Sequence, residues 1–125
     1  MGKTILVVDK TGAIRGYARL MLGEHDIQVN GAVSCQIALA SCERHMPDVV
    51  LLDMQWPEGE MGALDCIKQI RALPGGKSVD IICTSSVISD EERESVMAAD
   101  ANEYLAKPYT WETLSPLLKK LGVID

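Results

Sequence analysis

Two apolar patterns alternate along this chain. Short runs such as Ile5 to Val8, within a strand from Thr4, and Val49 to Leu52 are continuous. Unbroken apolar runs mark strands covered on both faces, as in a parallel sheet between helix layers. Residues 12–23 instead carry Ile14, Tyr17, Ala18, Met21 and Leu22 at helical spacing. A weaker strand follows over Ile27 to Ala32. Ser34 is placed to cap a helix to about His45, with Ile37, Leu39 and Ala40 inside it. Pro47-Asp48 opens the strand V-V-L-L-D, which ends at Asp53. After the loop M-Q-W-P-E-G-E-M-G, a helix is expected from about Gly62 to Leu73, stopped by Pro74-Gly75-Gly76. The run V-D-I-I-C-T, residues 79–84, is the fourth strand. Ser89 with Glu92 reads as a capping box for a helix to about Ala99. A fifth strand covers Asn102 to Ala106.

The last helix follows Lys107-Pro108, with Leu114, Leu117, Leu118 and Leu121 at helical spacing. Its cap is Thr110 or Ser115. Pro116 has no N–H to donate inside a helix, but suits the first helical position if Ser115 is the cap. A helix from about residue 111 with an irregular first turn is expected.

Five strand–helix units in series, with right-handed crossovers, predict a doubly wound α/β fold. That fold is a five-stranded parallel sheet with five flanking helices. There is no internal repeat and no linker, and 125 residues with 47% apolar content suit a single domain over residues 1–125.

In such sheets ligands bind beyond the carboxyl ends of the strands. The first strand ends in Asp9, the third in Asp53, the fourth in Thr84-Ser85 and the fifth in Lys107. With strand order 2-1-3-4-5, a common one for this fold, two carboxylates, a hydroxyl and an ammonium converge on one pocket. A single Asp at a strand end is ordinarily a loop former or a cap. Four chemically matched ends are a stronger signal.

Three segments carry a family resemblance: I-L-V-V-D-K at the first strand, D-M-Q-W-P at the third, and Y-L-A-K-P-Y at the fifth. In this order and spacing, over roughly residues 3 to 121, the chain resembles the receiver domain of bacterial response regulators, the CheY-like superfamily. The resemblance implies the flavodoxin-like strand order adopted above. It also implies a cytoplasmic two-component signalling domain, not an enzyme beyond self-catalysed phosphotransfer and dephosphorylation. Asp53 would accept phosphate from a histidine kinase or histidine phosphotransfer protein, and the domain would then act on a downstream protein target or effector domain. Asp9, Asp53 and the backbone carbonyl of Gln55 would hold Mg²⁺, and Lys107 would pair with Asp53 and then with a phosphoryl oxygen. Ser85 would be the switch hydroxyl, with Thr84 the alternative if the loop is one residue shorter. Tyr104 would be the switch aromatic, although a Tyr there also suits plain packing. Lys107-Pro108 would be a cis peptide.

Lys10 departs from that pattern, standing where a second metal-binding acid is expected. An ammonium offers no lone pair to Mg²⁺, and like charges 4 Å apart cost roughly 4 kcal/mol at an effective dielectric of about 20. If Lys10 points inward, metal binding should weaken. The alternative function is then an atypical receiver that signals by contact without phosphorylation. The loop after Pro57 is one residue longer than the family's usual loop and adds Glu58 and Glu60. They read as a solvated turn, or, more sharply, as a replacement ligand. Asp100 stands where a left-handed glycine often ends the fourth helix.

Other classes fit poorly. A net charge of −6 disfavours direct binding to nucleic acid or anionic membrane. No apolar run reaches a membrane-spanning length, and no signal peptide is visible. Cys35, Cys42, Cys66 and Cys83 lack metal-ligand spacing and read as reduced core thiols. The G-K-T at residues 2–4 and G-K-S at 76–78 precede strands, whereas a phosphate-binding loop follows one. A flavin enzyme would need more hydroxyls than Thr11 after the first strand.

Overall fold

Strands that are apolar on both faces need two covers, and the fold supplies them. The computed structural model describes residues 2–125. β1 (Lys3–Val8), β2 (Ile27–Ala32), β3 (Val49–Asp53), β4 (Asp80–Ser85) and β5 (Glu103–Ala106) form one parallel sheet in the order β2-β1-β3-β4-β5. The connecting helices are α1 (Gly12–Gly23), α2 (Cys35–Arg44), α3 (Ala63–Ala72), α4 (Asp90–Ala98) and α5 (Trp111–Lys120). The expected order and element count are both found. The period-two pleat divides each apolar run between the two covers. Ile5, Val7, Val49, Leu51 and Ile82 pack with Leu22 of α1 and with Leu114 and Leu118 of α5. Leu6, Val8, Val50, Leu52 and Ile81 pack with α2, α3 and Val96 of α4.

All four cysteines lie in that second layer, buried and free. Burial pushes the Cys42 thiol up to about 11 and the Cys83 thiol up to about 12. They are inert core residues, as their apolar surroundings predicted.

Two helix starts differ from the simplest reading. Ser89 caps α4 by accepting from the Glu92 amide at 3.0 Å, but the box is not closed. The Glu92 carboxylate instead accepts a 2.5 Å hydrogen bond from Tyr104, because β5 brings that phenol within reach. At α5 the cap is Thr110, in a reciprocal box with Thr113, and Ser115 is buried within the helix. The amides of Thr113 and Leu114 both donate to the Thr110 carbonyl, which tightens the first turn. Pro116 sits inside the helix and offers no N–H to the Glu112 carbonyl. β4 runs one residue further than expected and includes Ser85, which pairs with Ala106.

The amino end of β4 is held by one side chain. Arg71 donates to the carbonyls of Asp100, Gly76 and Val79 and to Asn102 Oδ1. Asp100 takes the left-handed conformation, φ 74°, that its position after α4 requires. Gly76 cannot be replaced without moving backbone, since a Cβ there would lie 1.8 Å from the Ile70 carbonyl oxygen. No described helix is long and apolar enough to cross a membrane.

Candidate functional site

The chain leaves β1 at Asp9, whose amide donates to the Ala32 carbonyl at 3.0 Å. This bond holds Asp9 at the carboxyl end of the sheet as the chain turns into α1. Its carboxylate Oδ1 accepts from the Thr11 amide at 2.9 Å, and its carbonyl accepts from Arg15 Nη1 at 2.6 Å. Asp53 closes β3, paired with Thr84. The Trp56 indole donates to the Asp53 carbonyl at 2.7 Å. Lys107 leaves β5 with its amide bonded to the Ser85 carbonyl at 2.8 Å.

These strand ends bring three ionised groups into one buried cluster. Lys107 Nζ lies 3.0 Å from Asp9 Oδ2 and 2.9 Å from Asp53 Oδ1. Burial pulls the Lys107 ammonium downward, but its contacts with Asp53 and Asp9 outweigh that and raise it above the ordinary lysine value. Asp53 is wholly buried, and its carboxylate oxygens are partnered by Lys107 and Lys10 alone. Its lone pairs face ammonium groups without being tied to a backbone donor.

Lys10 points inward. Its Nζ lies 3.6 Å from Asp53 Oδ2 and donates to the Gln55 carbonyl at 2.8 Å. It also stands 5.9 Å from the centroid of the Trp56 ring, within cation–π range. Its side chain remains 44% exposed. Glu58 and Glu60 are exposed on a turn that Gly59 enters at φ 90°. Among the described residues, no three acidic, histidine or cysteine side chains form a group that could hold a metal.

The remaining candidates sit at the rim. Thr84 and Ser85 are both buried. The Ser85 hydroxyl is engaged within its own loop, donating to the Val87 carbonyl at 3.0 Å and accepting from the Val87 amide at 3.2 Å. Tyr104 is buried, with its hydroxyl bonded to Glu92 and to the Ser89 amide. Burial and the Glu92 bond raise its phenol. The Lys107-Pro108 bond is cis, as expected. The residues the sequence did not single out are Arg15, Trp56 and Tyr109. The Tyr109 hydroxyl is buried without a hydrogen-bond partner, beside a groove of about 560 Å³ lined by Ile14, Tyr17, Lys107 and Pro108. Trp56 and Tyr109 lie inside the segments D-M-Q-W-P and Y-L-A-K-P-Y, whereas no motif marks Arg15.

The buried Asp–Asp–Lys cluster at the carboxyl ends of β1, β3 and β5 is the part of the expected arrangement that forms, while the expected hydroxyl of Ser85 is bonded to Val87 instead. The sequence model of the response regulator receiver domain matches residues 5–119. The chain belongs to that family. This receiver is 30% identical over 105 residues to the KDP operon transcriptional regulatory protein KdpE of Escherichia coli, covering 84% of this chain and 44% of that protein. It spans about half the length of several of the curated regulators it matches. Among solved structures, the chemotaxis protein CheY4 of Vibrio cholerae superposes with a TM-score of 0.89 at 26% identity, covering 97% of this chain and 99% of that one. The receiver domain of sensor histidine kinase PA1611 from Pseudomonas aeruginosa has a TM-score of 0.85 at 28% identity, covering 98% and 99%. That domain holds a magnesium ion in its active-site cleft.

The same ion does not fit this receiver as its residues are arranged. Mg²⁺ demands near-octahedral oxygen ligands at roughly 2.0–2.1 Å. Here the Gln55 carbonyl is taken by the Lys10 ammonium, and the Asp9 carboxylate by Lys107 and the Thr11 amide. A cation already stands beside Asp53 on the side facing Gln55.

Proposed function

We propose that Asp53 is the phosphoacceptor of this receiver, taking the phosphoryl group from a phosphohistidine on a histidine kinase or histidine phosphotransfer protein. The observation that carries this reading is the Asp53 carboxylate itself. It is buried, flanked by two ammoniums, and bonded to no backbone donor. An Asp53 oxygen attacks phosphorus and the P–N bond breaks, leaving an acyl phosphate. The bonding pair returns to the imidazole, which leaves neutral when its other ring nitrogen already carries a proton. Lys107 then exchanges one carboxylate partner for a phosphoryl oxygen, as a point charge with three donors. Asp9 holds Lys107 in place. Direct Mg²⁺ binding by Asp9, Asp53 and the Gln55 carbonyl is weak here, because Lys10 occupies the third of these.

In this reading residues 1–125 act as one receiver unit in the cytoplasm. Ser85, or Thr84 beside it, is the hydroxyl that responds to the phosphoryl group. For Ser85 this requires giving up its bonds to Val87. Tyr104 carries the response to α4 through Glu92, and a downstream protein or effector domain reads the altered face. The test is intact-mass measurement after incubation with acetyl phosphate. A gain of one phosphoryl mass, lost in Asp53→Asn, is expected. The same gain in Asp53→Asn would overturn the assignment.

A further inference from the structure

The Lys10 ammonium lies between the acceptor carboxylate and a backbone carbonyl, 3.6 Å from Asp53 Oδ2 and 2.8 Å from the Gln55 oxygen. We infer that Lys10 is the pocket's built-in second cation, so that phosphoryl transfer to Asp53 proceeds without a divalent metal. The inference rests on Asp53 being the acceptor.

The charges favour it. Two carboxylates, Asp9 and Asp53, meet two ammoniums, Lys10 and Lys107. The ionised side chains balance before any ion arrives, so nothing in the pocket draws in a divalent cation. The incoming phosphoryl group adds negative charge, and both ammoniums are within reach of where it will sit. Lys107 approaches one oxygen of Asp53 and Lys10 the other. An ammonium pairs with phosphoryl oxygens through charge-assisted hydrogen bonds. It thus supplies the charge of a metal without its coordination.

The two lysines differ in freedom. Lys107 is held by two buried carboxylates. The Lys10 side chain is 44% exposed and has one short bond, to the Gln55 carbonyl. Asp53 is sealed from solvent in this arrangement. The donor reaches it as Lys10 releases Gln55 and swings onto the phosphoryl oxygens. With acetyl phosphate the Asp53 oxygen attacks phosphorus, the P–O bond to acetate breaks, and acetate leaves with that electron pair. No metal and no net proton enters the balance.

The experiment compares the native protein with Lys10→Asp and Lys10→Met. Acetyl phosphate is the donor, with EDTA or with saturating Mg²⁺, and phosphorylation is read by intact mass. Mg²⁺ is also titrated alone, read from Trp56, whose indole is bonded to the Asp53 carbonyl. The native rate with EDTA should lie within about threefold of its rate with Mg²⁺. Lys10→Asp should lose about tenfold or more in EDTA, recover with Mg²⁺, and gain a saturable Trp56 response that the native protein lacks. Lys10→Met should be slow under both conditions. A native rate that collapses in EDTA, or native Mg²⁺ affinity equal to that of Lys10→Asp, overturns the inference and leaves the Asp53 assignment standing. So does a native protein that takes no phosphate while Lys10→Asp takes it with Mg²⁺, since Lys10 then blocks the pocket. If neither protein is phosphorylated at all, the Asp53 reading fails and this inference falls with it.

Discussion

The two walls of the Asp53 pocket are built on different terms. On the β5 side, Lys107 is 11% exposed and bridges two carboxylates at 2.9 and 3.0 Å. On the side of the β1–α1 turn, Lys10 is 44% exposed, rests on one carbonyl, and stands 3.6 Å from Asp53. The first wall is part of the core, because removing it strands two buried charges. The second is a reversible arm, because water can replace its one bond. Two residues of the same type near one carboxylate therefore differ in how firmly the fold holds them.

The largest effect should come from breaking the fixed wall. Lys107→Met leaves Asp9 and Asp53 buried without their shared partner, a loss of about 3 kcal/mol in urea unfolding. A loss under about 1 kcal/mol would mean that water enters the pocket freely.

A smaller loss should follow at the opposite end of the sheet. Arg71→Leu removes four carbonyl or amide-oxygen partners around β4, at a cost of about 2 kcal/mol. It should leave the phosphorylation rate at Asp53 unchanged. If the rate moves as well, the two ends of β4 are coupled.

Alkaline pH separates the walls further. The Lys107 ammonium is raised above its unfolded value of 10.5. Its contribution to stability is thus complete below that pH and lost as pH climbs through the folded value. The buried phenols Tyr104 and Tyr109, both raised above 10.0, also lose stability on the alkaline side. Unfolding free energy should fall above about pH 10, by at most about 1.4 kcal/mol per pH unit for each group. Lys107→Met should flatten the Lys107 share of that slope and leave the share of the phenols. An unaltered slope would show that Lys107 does not titrate with folding.

The smallest effect belongs to the mobile wall. Lys10→Met should change urea unfolding by no more than about 0.5 kcal/mol, as befits a half-exposed side chain. A larger loss would make Lys10 a structural residue like Lys107.

What the sequence disclosed follows from how local its signals are. The continuous runs ending at Asp9 and Asp53 announced a parallel sheet and the end of it that matters. Asp9, Asp53 and Lys107 meet there because each sits one step beyond, or at, the last rung of its strand. The inward course of Lys10 was one of two outcomes its long stem allowed. The choice depends on the Gln55 carbonyl, 45 residues away in sequence. The same reason hid Arg71, whose partners are carbonyls brought together only by the finished turn after α3 and the end of α4. Glu92 was misread for a related reason. Its spacing from Ser89 matches a capping box, but spacing does not register a phenol arriving from β5. Side-chain bonds to distant backbone or distant strands leave no periodic trace.

The placement of the thiols has a kinetic consequence. Cys35 and Cys42 on α2, Cys66 on α3 and Cys83 on β4 all lie in one layer, while the α1 and α5 layer has none. Buried in that layer, they are silent to an alkylating reagent until it opens. The rate at which each is modified under native conditions therefore clocks the breathing of one side of the sheet. Such labelling, done before and after Asp53 is loaded, would show whether the event at the pocket loosens or tightens the α2–α3 flank.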